Sequence, residues 1–60
     1  MRLYDHVTGT EVAIADLTID ALHTHLARTD TEDWASLEQA YPVYRARREA
    51  LESEARRRSI

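Results

Sequence analysis

The sequence contains no cysteine, no lysine and no phenylalanine, and it has one glycine and one proline among 60 residues. The absence of cysteine excludes disulfides, thiolate metal sites and cysteine nucleophiles. With so little glycine and proline, the chain does not have the composition of a flexible linker. It also lacks an apolar run long enough for a membrane span, and Met1–Asp5 does not resemble the start of a secretory signal. We therefore expect a cytoplasmic protein.

Motifs typical of catalysis are also missing. The sequence has no glycine-rich phosphate loop, no Gly-x-Ser-x-Gly and no His-Glu-x-x-His. A chain of this size has difficulty enclosing a ligand pocket of several hundred Å³. Of the histidines, His6, His23 and His25, the last two are two positions apart on a predicted helix and point in nearly opposite directions. We predict that the protein is not an enzyme, has no cofactor and has no metal site.

The small size of the chain limits how it can be stabilised. A domain of this length buries only about 60% of the surface that its unfolded chain exposes. Domains below about 70–80 residues usually gain support from disulfides, a metal, oligomerisation or unusually good helix packing. Because the first two supports are not expected here, the sequence favours oligomerisation, partner binding or efficient helix packing.

The net charge of −3 conceals a division along the chain. Residues 1–41 contain eight acids and two arginines, whereas residues 42–60 contain six arginines and three glutamates. Such a division is typical of a nucleic-acid-binding arm, and equally of acids at helix starts with bases at helix ends. The second half also contains Glu52–Arg56 and Glu54–Arg58 pairs at helical spacing, and Arg56–Arg58 is expected to be a frayed, solubilising end.

We predict a single small α+β domain over residues 1–60 that begins with a β-hairpin at residues 1–16. Residues 2–7 alternate weakly and residues 11–15 are β-branched and apolar, with Gly9 between them. Glycine supplies the positive φ that a tight turn requires. A Thr8–Gly9 loop would place Leu3 opposite Ile14 and His6 opposite Glu11, and a longer loop would shift that register.

A short helical segment is predicted at residues 17–29. Thr18 is a suitable N-cap, and Leu17 and Leu22 stand at the positions of a hydrophobic staple. The helix should run from Ile19 to Arg28, and its apolar stripe should contain Ile19, Leu22 and Leu26. After it, Asp30 is predicted to cap the next helix.

Residues 30–58 are predicted to be helical and interrupted at Pro42. One possibility is that the helix ends near Ala40 and Pro42 begins a third helix, a position that proline favours. The other is one long helix kinked at Pro42. A heptad pattern continues across the proline, which slightly favours the kink. It consists of Trp34, Leu37, Tyr41, Tyr44, Arg48, Leu51 and Ala55.

The heptad pattern indicates association. A first helix of about 15 Å is too short to cover a second helix of about 40 Å. The first half of the pattern can pack on its own chain, but Leu51 and Ala55 are then expected to be solvated or to meet another chain. Arg48 would reach Glu52 or an acid of a partner.

These patterns predict an accessory or regulatory protein–protein interaction module that docks on a protein partner or on its own copy. Trp34, Tyr41 and Tyr44 would anchor the contact, because aromatic residues concentrate binding energy. We expect the contact to extend over Leu37 and Leu51. Its orientation would be set at the edges by Arg45, Arg47 and Glu52. The alternative is a helix-turn-helix DNA-binding regulator that uses Arg45, Arg47 and Arg48. The acidic total argues against this alternative, since nucleic-acid-binding domains are usually basic.

Overall fold

The computed structural model describes residues 1–6 and 8–60, and it confirms the predicted α+β fold of a hairpin followed by helices. The antiparallel strands are β1 (Arg2–Asp5) and β2 (Thr10–Ala13). A 3-10 turn (Ile14–Asp16) leads into α1 (Ile19–Thr29), α2 (Glu32–Ala40) and α3 (Pro42–Arg58). Val7, the last residue of the predicted first strand, lies outside the described residues.

The hairpin has a different register from the one predicted. Leu3 pairs with Val12 instead of Ile14, and Glu11 pairs with Tyr4 instead of His6. The Gly9 amide donates to the Asp5 carbonyl oxygen at 2.9 Å, next to the Asp5–Thr10 pair that ends the ladder. The tightest hairpin loops favour positive φ at both central positions, which a β-branched threonine resists. Because the register shifts by an even number of residues, Leu3 still points into the core.

The first helix begins as predicted. The Thr18 side chain accepts a hydrogen bond from the Ala21 amide at 3.1 Å, and the helix extends one residue beyond the predicted end. The predicted stripe is wrong at Ile19, which is 53% exposed. The buried face is centred near His25 and Thr29, and Ile19 lies about 100° around the helix axis from that centre.

The cap of α2 is Thr31, and the prediction of Asp30 is wrong. The Thr31 hydroxyl accepts a hydrogen bond from the Trp34 amide at 3.2 Å. Asp30 instead ends α1, and its amide donates to the Ala27 carbonyl oxygen. The exposed acids Glu32 and Asp33 fill the first turn of α2, where the helix dipole favours negative charge. No residue of α2 is fully buried.

The helical segment is split at Pro42, which confirms the first of the two predicted alternatives, and the kinked form is not observed. Tyr41 has an extended backbone, with φ −135° and ψ 111°, and Pro42 is the first residue of α3. Proline disfavours a helical conformation at the residue before it but is well suited to a first helical position. The extended residue redirects the chain, and α3 packs against both α2 and α1.

The core is formed by one cluster of buried apolar residues from the hairpin, the 3-10 turn, α1 and α3. Leu51 is 1% exposed and Ala55 packs against this cluster, so the predicted exposure of their side chains is wrong. The break at Pro42 shortens α3 to about 26 Å, and α3 packs against α1, α2 and the 3-10 turn. The cluster comprises Leu3, Ile14, Leu17, Ala21, Leu22 and Leu51. Among the described residues, no helix has the length and apolar character needed to cross a membrane.

Candidate functional site

Four of the predicted binding residues surround the junction between α2 and α3. The Trp34 and Tyr44 rings meet edge to face, with centroids 5.1 Å apart and an interplanar angle of 85°. The Tyr41 ring lies 6.1 Å from that of Tyr44, and Leu37 lines a shallow pocket with Trp34 and Tyr44. Tyr41 is 56% exposed, whereas the other three side chains are half-buried. We call Trp34, Leu37, Tyr41 and Tyr44 the aromatic surface.

Glu38 supports the aromatic surface and was not identified from the sequence. Its carboxylate accepts a hydrogen bond from the Trp34 indole N–H at 2.9 Å. The same oxygen, Oε1, lies 3.0 Å from Arg48 Nε, in an ion pair that lacks hydrogen-bond geometry. Arg48 also forms the predicted ion pair with Glu52, at the longer distance of 4.0 Å. Glu38 thus holds the indole in place and links α2 to α3. Its position four residues after Trp34 was the sequence feature from which this contact could have been predicted.

The other predicted binding residues are divided between core and surface. Leu51 lies in the core, so it does not belong to an accessible surface in this fold. Arg45 and Glu52 are exposed on α3, and the Arg47 guanidinium lies over the Tyr44 ring, 5.3 Å from its centroid. Of the arginines proposed for DNA binding, Arg48 is paired with Glu38. The DNA-binding alternative stays a prediction.

A cleft of about 270 Å³ lies between the hairpin and the helices. Arg2 of β1, Arg28 of α1 and Arg47 of α3 all line it, together with the rings of Trp34 and Tyr44. The single carboxylate residue in this lining, among the residues that the structure describes, is Glu11. Basic and aromatic groups thus predominate in the cleft of an acidic chain. No pattern in the sequence indicates this site, because its arginines come from three separate elements.

The arginines of the cleft form no ion pair in the described residues, as is also true of the exposed Arg45 and Arg56 outside it. Arg2 donates a hydrogen bond to the backbone carbonyl oxygen of Glu11 at 3.1 Å, and this bond does not involve the Glu11 carboxylate. Across residues 1–6 and 8–60, neither Arg28 nor Arg47 forms an ion pair. By contrast, three arginines outside the cleft are paired with glutamates: Arg48, Arg57 and Arg58.

His25 lines the same cleft from α1 and is largely buried. Its Nε2 lies 3.9 Å from Oδ1 of the buried Asp5. Burial lowers the pKa of His25 below its ordinary value, Asp5 opposes this effect, and the positive charges of Arg28 and His6 add to it. The imidazole is therefore mainly neutral at neutral pH.

The C-terminal arginines are ordered by Glu54, so the predicted frayed end is wrong for Arg57 and Arg58. Glu54 is buried, and it accepts hydrogen bonds from Arg57, with Nε at 3.0 Å, and from Arg58, with Nε at 2.6 Å. These bonds lower the pKa of the Glu54 carboxyl to about 2, and the bond from Arg57 has the largest effect. Arg58 also donates to the Ala15 carbonyl oxygen at 3.0 Å, which joins the end of α3 to the 3-10 turn.

His6 and His25 line the same cleft, whereas His23 is exposed on α1 and does not line it. Within the described part of the chain, no group of three His, Asp or Glu side chains is placed to hold a metal ion. Comparison with known proteins found no match among family models, curated proteins or solved structures. The geometry of the aromatic surface and of the cleft is therefore what bears on function.

Proposed function

We propose that this chain is a small, non-enzymatic protein–protein interaction module that docks its aromatic surface on a second copy of itself. The observation that carries the proposal is the exposure of Tyr41, 56%, at the edge of the half-buried Trp34–Tyr44 pair. Aromatic side chains supply much of the binding energy of protein interfaces, especially when neighbouring groups already limit their freedom. Tyr44 has limited freedom of this kind, because it contacts Trp34 on one side and Arg47 on another.

The weak attachment of α2 supports the same proposal. This helix has nine residues and no fully buried side chain. Isolated helices shorter than about 12–15 residues are marginal in water, so α2 depends on packing. Its half-buried contacts are made by Trp34, Leu37 and Glu38. A second copy placed over the aromatic surface would bury more of α2 and supply the support that so small a domain needs.

The charges beside the aromatic surface suit two-fold symmetry. A symmetric dimer uses the same patch on both chains, so the patch must be complementary to itself. Arg45 and Glu52 have opposite charges, are both exposed and lie seven residues apart on one side of α3. In a two-fold dimer, Arg45 of one copy would face Glu52 of the other. A standard interface buries about 800 Å² per partner. Three of the four side chains of the aromatic surface are half-buried, so the contact must extend beyond them to reach that area, and the exposed Val43 lies next to this surface in sequence.

Sedimentation velocity over a wide concentration range, with Tyr41→Ala and Ile19→Ala, tests this proposal. The two residues are matched because their exposed fractions are similar, 56% for Tyr41 and 53% for Ile19. Tyr41 lies between α2 and α3, whereas Ile19 is the first residue of α1. We expect Tyr41→Ala to raise the dimer Kd at least about tenfold, or 1.4 kcal/mol. Ile19→Ala should leave the Kd nearly unchanged. A monomer at every concentration contradicts self-association and leaves a different protein as the partner, and equal weakening by both variants contradicts the assignment of the surface.

A further inference from the structure

We propose that the cleft between the hairpin and the helices is a binding site for a small organic oxyanion, a carboxylate or phosphate carried on a flat ring. The proposal does not depend on self-association, because the cleft lies within one chain. It rests on the cations that line the cleft, on the aromatic rings beside them and on the volume.

The charge of the ligand follows from the arginines. Arg2, Arg28 and Arg47 line the cleft against one glutamate, Glu11. The chain has 11 acidic residues for 8 arginines, so carboxylate partners are plentiful. Even so, in the described residues Arg28 and Arg47 form no ion pair, while Arg48 has a carboxylate within 3.0 Å. Guanidinium groups bind carboxylate and phosphate through paired, charge-assisted hydrogen bonds, which makes an oxyanion the complementary ligand.

The flat ring follows from the aromatic lining. Trp34 and Tyr44 are held at 85° to each other, and Glu38 fixes the indole by its 2.9 Å hydrogen bond. A planar group that enters the cleft therefore meets rings whose orientation is already set. The edge-to-face and offset arrangements that such rings favour add to the binding of an aromatic ligand.

The size of the ligand follows from the volume and from the apolar part of the lining. At about 270 Å³ the cleft lies just below the range of about 300–1,000 Å³ that is usual for drug-sized ligands, so a single-ring ligand is the appropriate class. The core side chains of Leu3 and Leu51, 7% and 1% exposed, lie beneath the cleft and form its apolar floor. Apolar contact with a ring, combined with arginines for the anionic group, is the usual composition of a small-molecule site.

Four single-ring probes test the proposal with the full chain. Benzoate and phenyl phosphate carry the two oxyanions, benzyl alcohol is a neutral analogue, and benzylamine is a cationic one. Trp34 is the only tryptophan, so its fluorescence reports on the cleft directly. Methyl NMR shifts of Leu3 and Leu51 locate the bound probe, and the methyl groups of the exposed Ile19 serve as the internal reference.

Arginine variants then separate a built site from general attraction. We expect Arg28→Gln and Arg47→Gln each to weaken oxyanion binding at least about tenfold, the usual effect of losing a hydrogen bond to a charged group. Arg56→Gln is the matched control, because Arg56 is exposed, forms no ion pair in the described chain and does not line this cleft. This control should change the affinity by less than about twofold, as exposed charges contribute little. Far-UV circular dichroism establishes that each variant is folded.

The outcomes divide clearly. The proposal is supported by saturable binding of benzoate or phenyl phosphate, with methyl shifts at Leu3 and Leu51 and with affinity lost only in the Arg28 and Arg47 variants. The probe that binds with the lower Kd identifies the preferred oxyanion. Equal binding of benzyl alcohol, equal loss in the Arg56 variant, unchanged affinity in both cleft variants, or no saturable shift would each overturn the proposal.

Discussion

Replacing Leu51 with alanine should remove a large part of the stability of this protein. Leu51 is 1% exposed and belongs to the core cluster, where it is one of the two largest fully buried side chains. Truncating a buried leucine to alanine costs about 2–5 kcal/mol, because apolar contacts are lost and a cavity remains. Stability of about 0.05–0.15 kcal/mol per residue amounts to about 3–9 kcal/mol for 60 residues. We expect a loss of about 3 kcal/mol, a large fraction of the total.

The assay is urea and thermal unfolding followed by circular dichroism at a low protein concentration, where association contributes little. A loss of about 3 kcal/mol corresponds to a fall in Tm of about 12–24 °C for a domain of this size. Leu37→Ala is the matched control, because Leu37 has the same side chain in the same heptad pattern but is only half-buried. It should cost about 1 kcal/mol. Equal losses at the two positions would refute the assignment of Leu51 to the core.

Three further predictions concern pH and nucleic acid. The pKa of Glu54 is about 2 in the folded protein and 4.5 ordinarily, so its stabilising effect should be complete above pH 4.5 and lost as the pH falls towards 2. The urea midpoint should decrease over that range, and the decrease should be smaller in Glu54→Gln. The pKa of His25 is lowered from 6.5, so the folded state favours the neutral imidazole and should lose stability as the pH falls below 6.5. An NMR titration of His25 should give a midpoint below 6.5, and a midpoint above this value would contradict the burial argument. We also expect no binding of duplex DNA at low salt in a fluorescence anisotropy assay; strongly salt-dependent binding that is lost in Arg45→Gln would instead favour the DNA-binding alternative.

The features that were predicted correctly depend on neighbouring residues. Thr18 caps α1 as expected, since a threonine followed by an amphipathic segment is a local signal. Pro42 starts α3 for a similar reason, because proline constrains the residue before it wherever it occurs. The kink was favoured because the heptad pattern continues across the proline. This continuity described the spacing of side chains and carried no information on whether the backbone remained helical at Tyr41.

The features that were missed depend on how separate segments meet. The predicted hairpin register was wrong because the turn after Asp5 sets the register, and the Gly9–Asp5 hydrogen bond fixes the strand pairing two residues away from that prediction. Ile19 was assigned to the buried stripe because it is apolar, but the position of α1 against the core places Ala21 and His25 inward instead. Arg28 and Arg47 are nineteen positions apart in the sequence, and no spacing rule brings them to one cleft.

The sequence by itself determined the order of hairpin and helices, the cap at Thr18 and the set of aromatic residues at the α2–α3 junction. These follow from propensities and spacings that act over a few residues. The tertiary structure alone decided that Leu51 is core and Tyr41 is surface, although both belong to one heptad pattern. The physical reason is the extended residue before Pro42: it turns α3 back over α1, so the second half of the pattern is buried within the chain while part of the first half remains exposed.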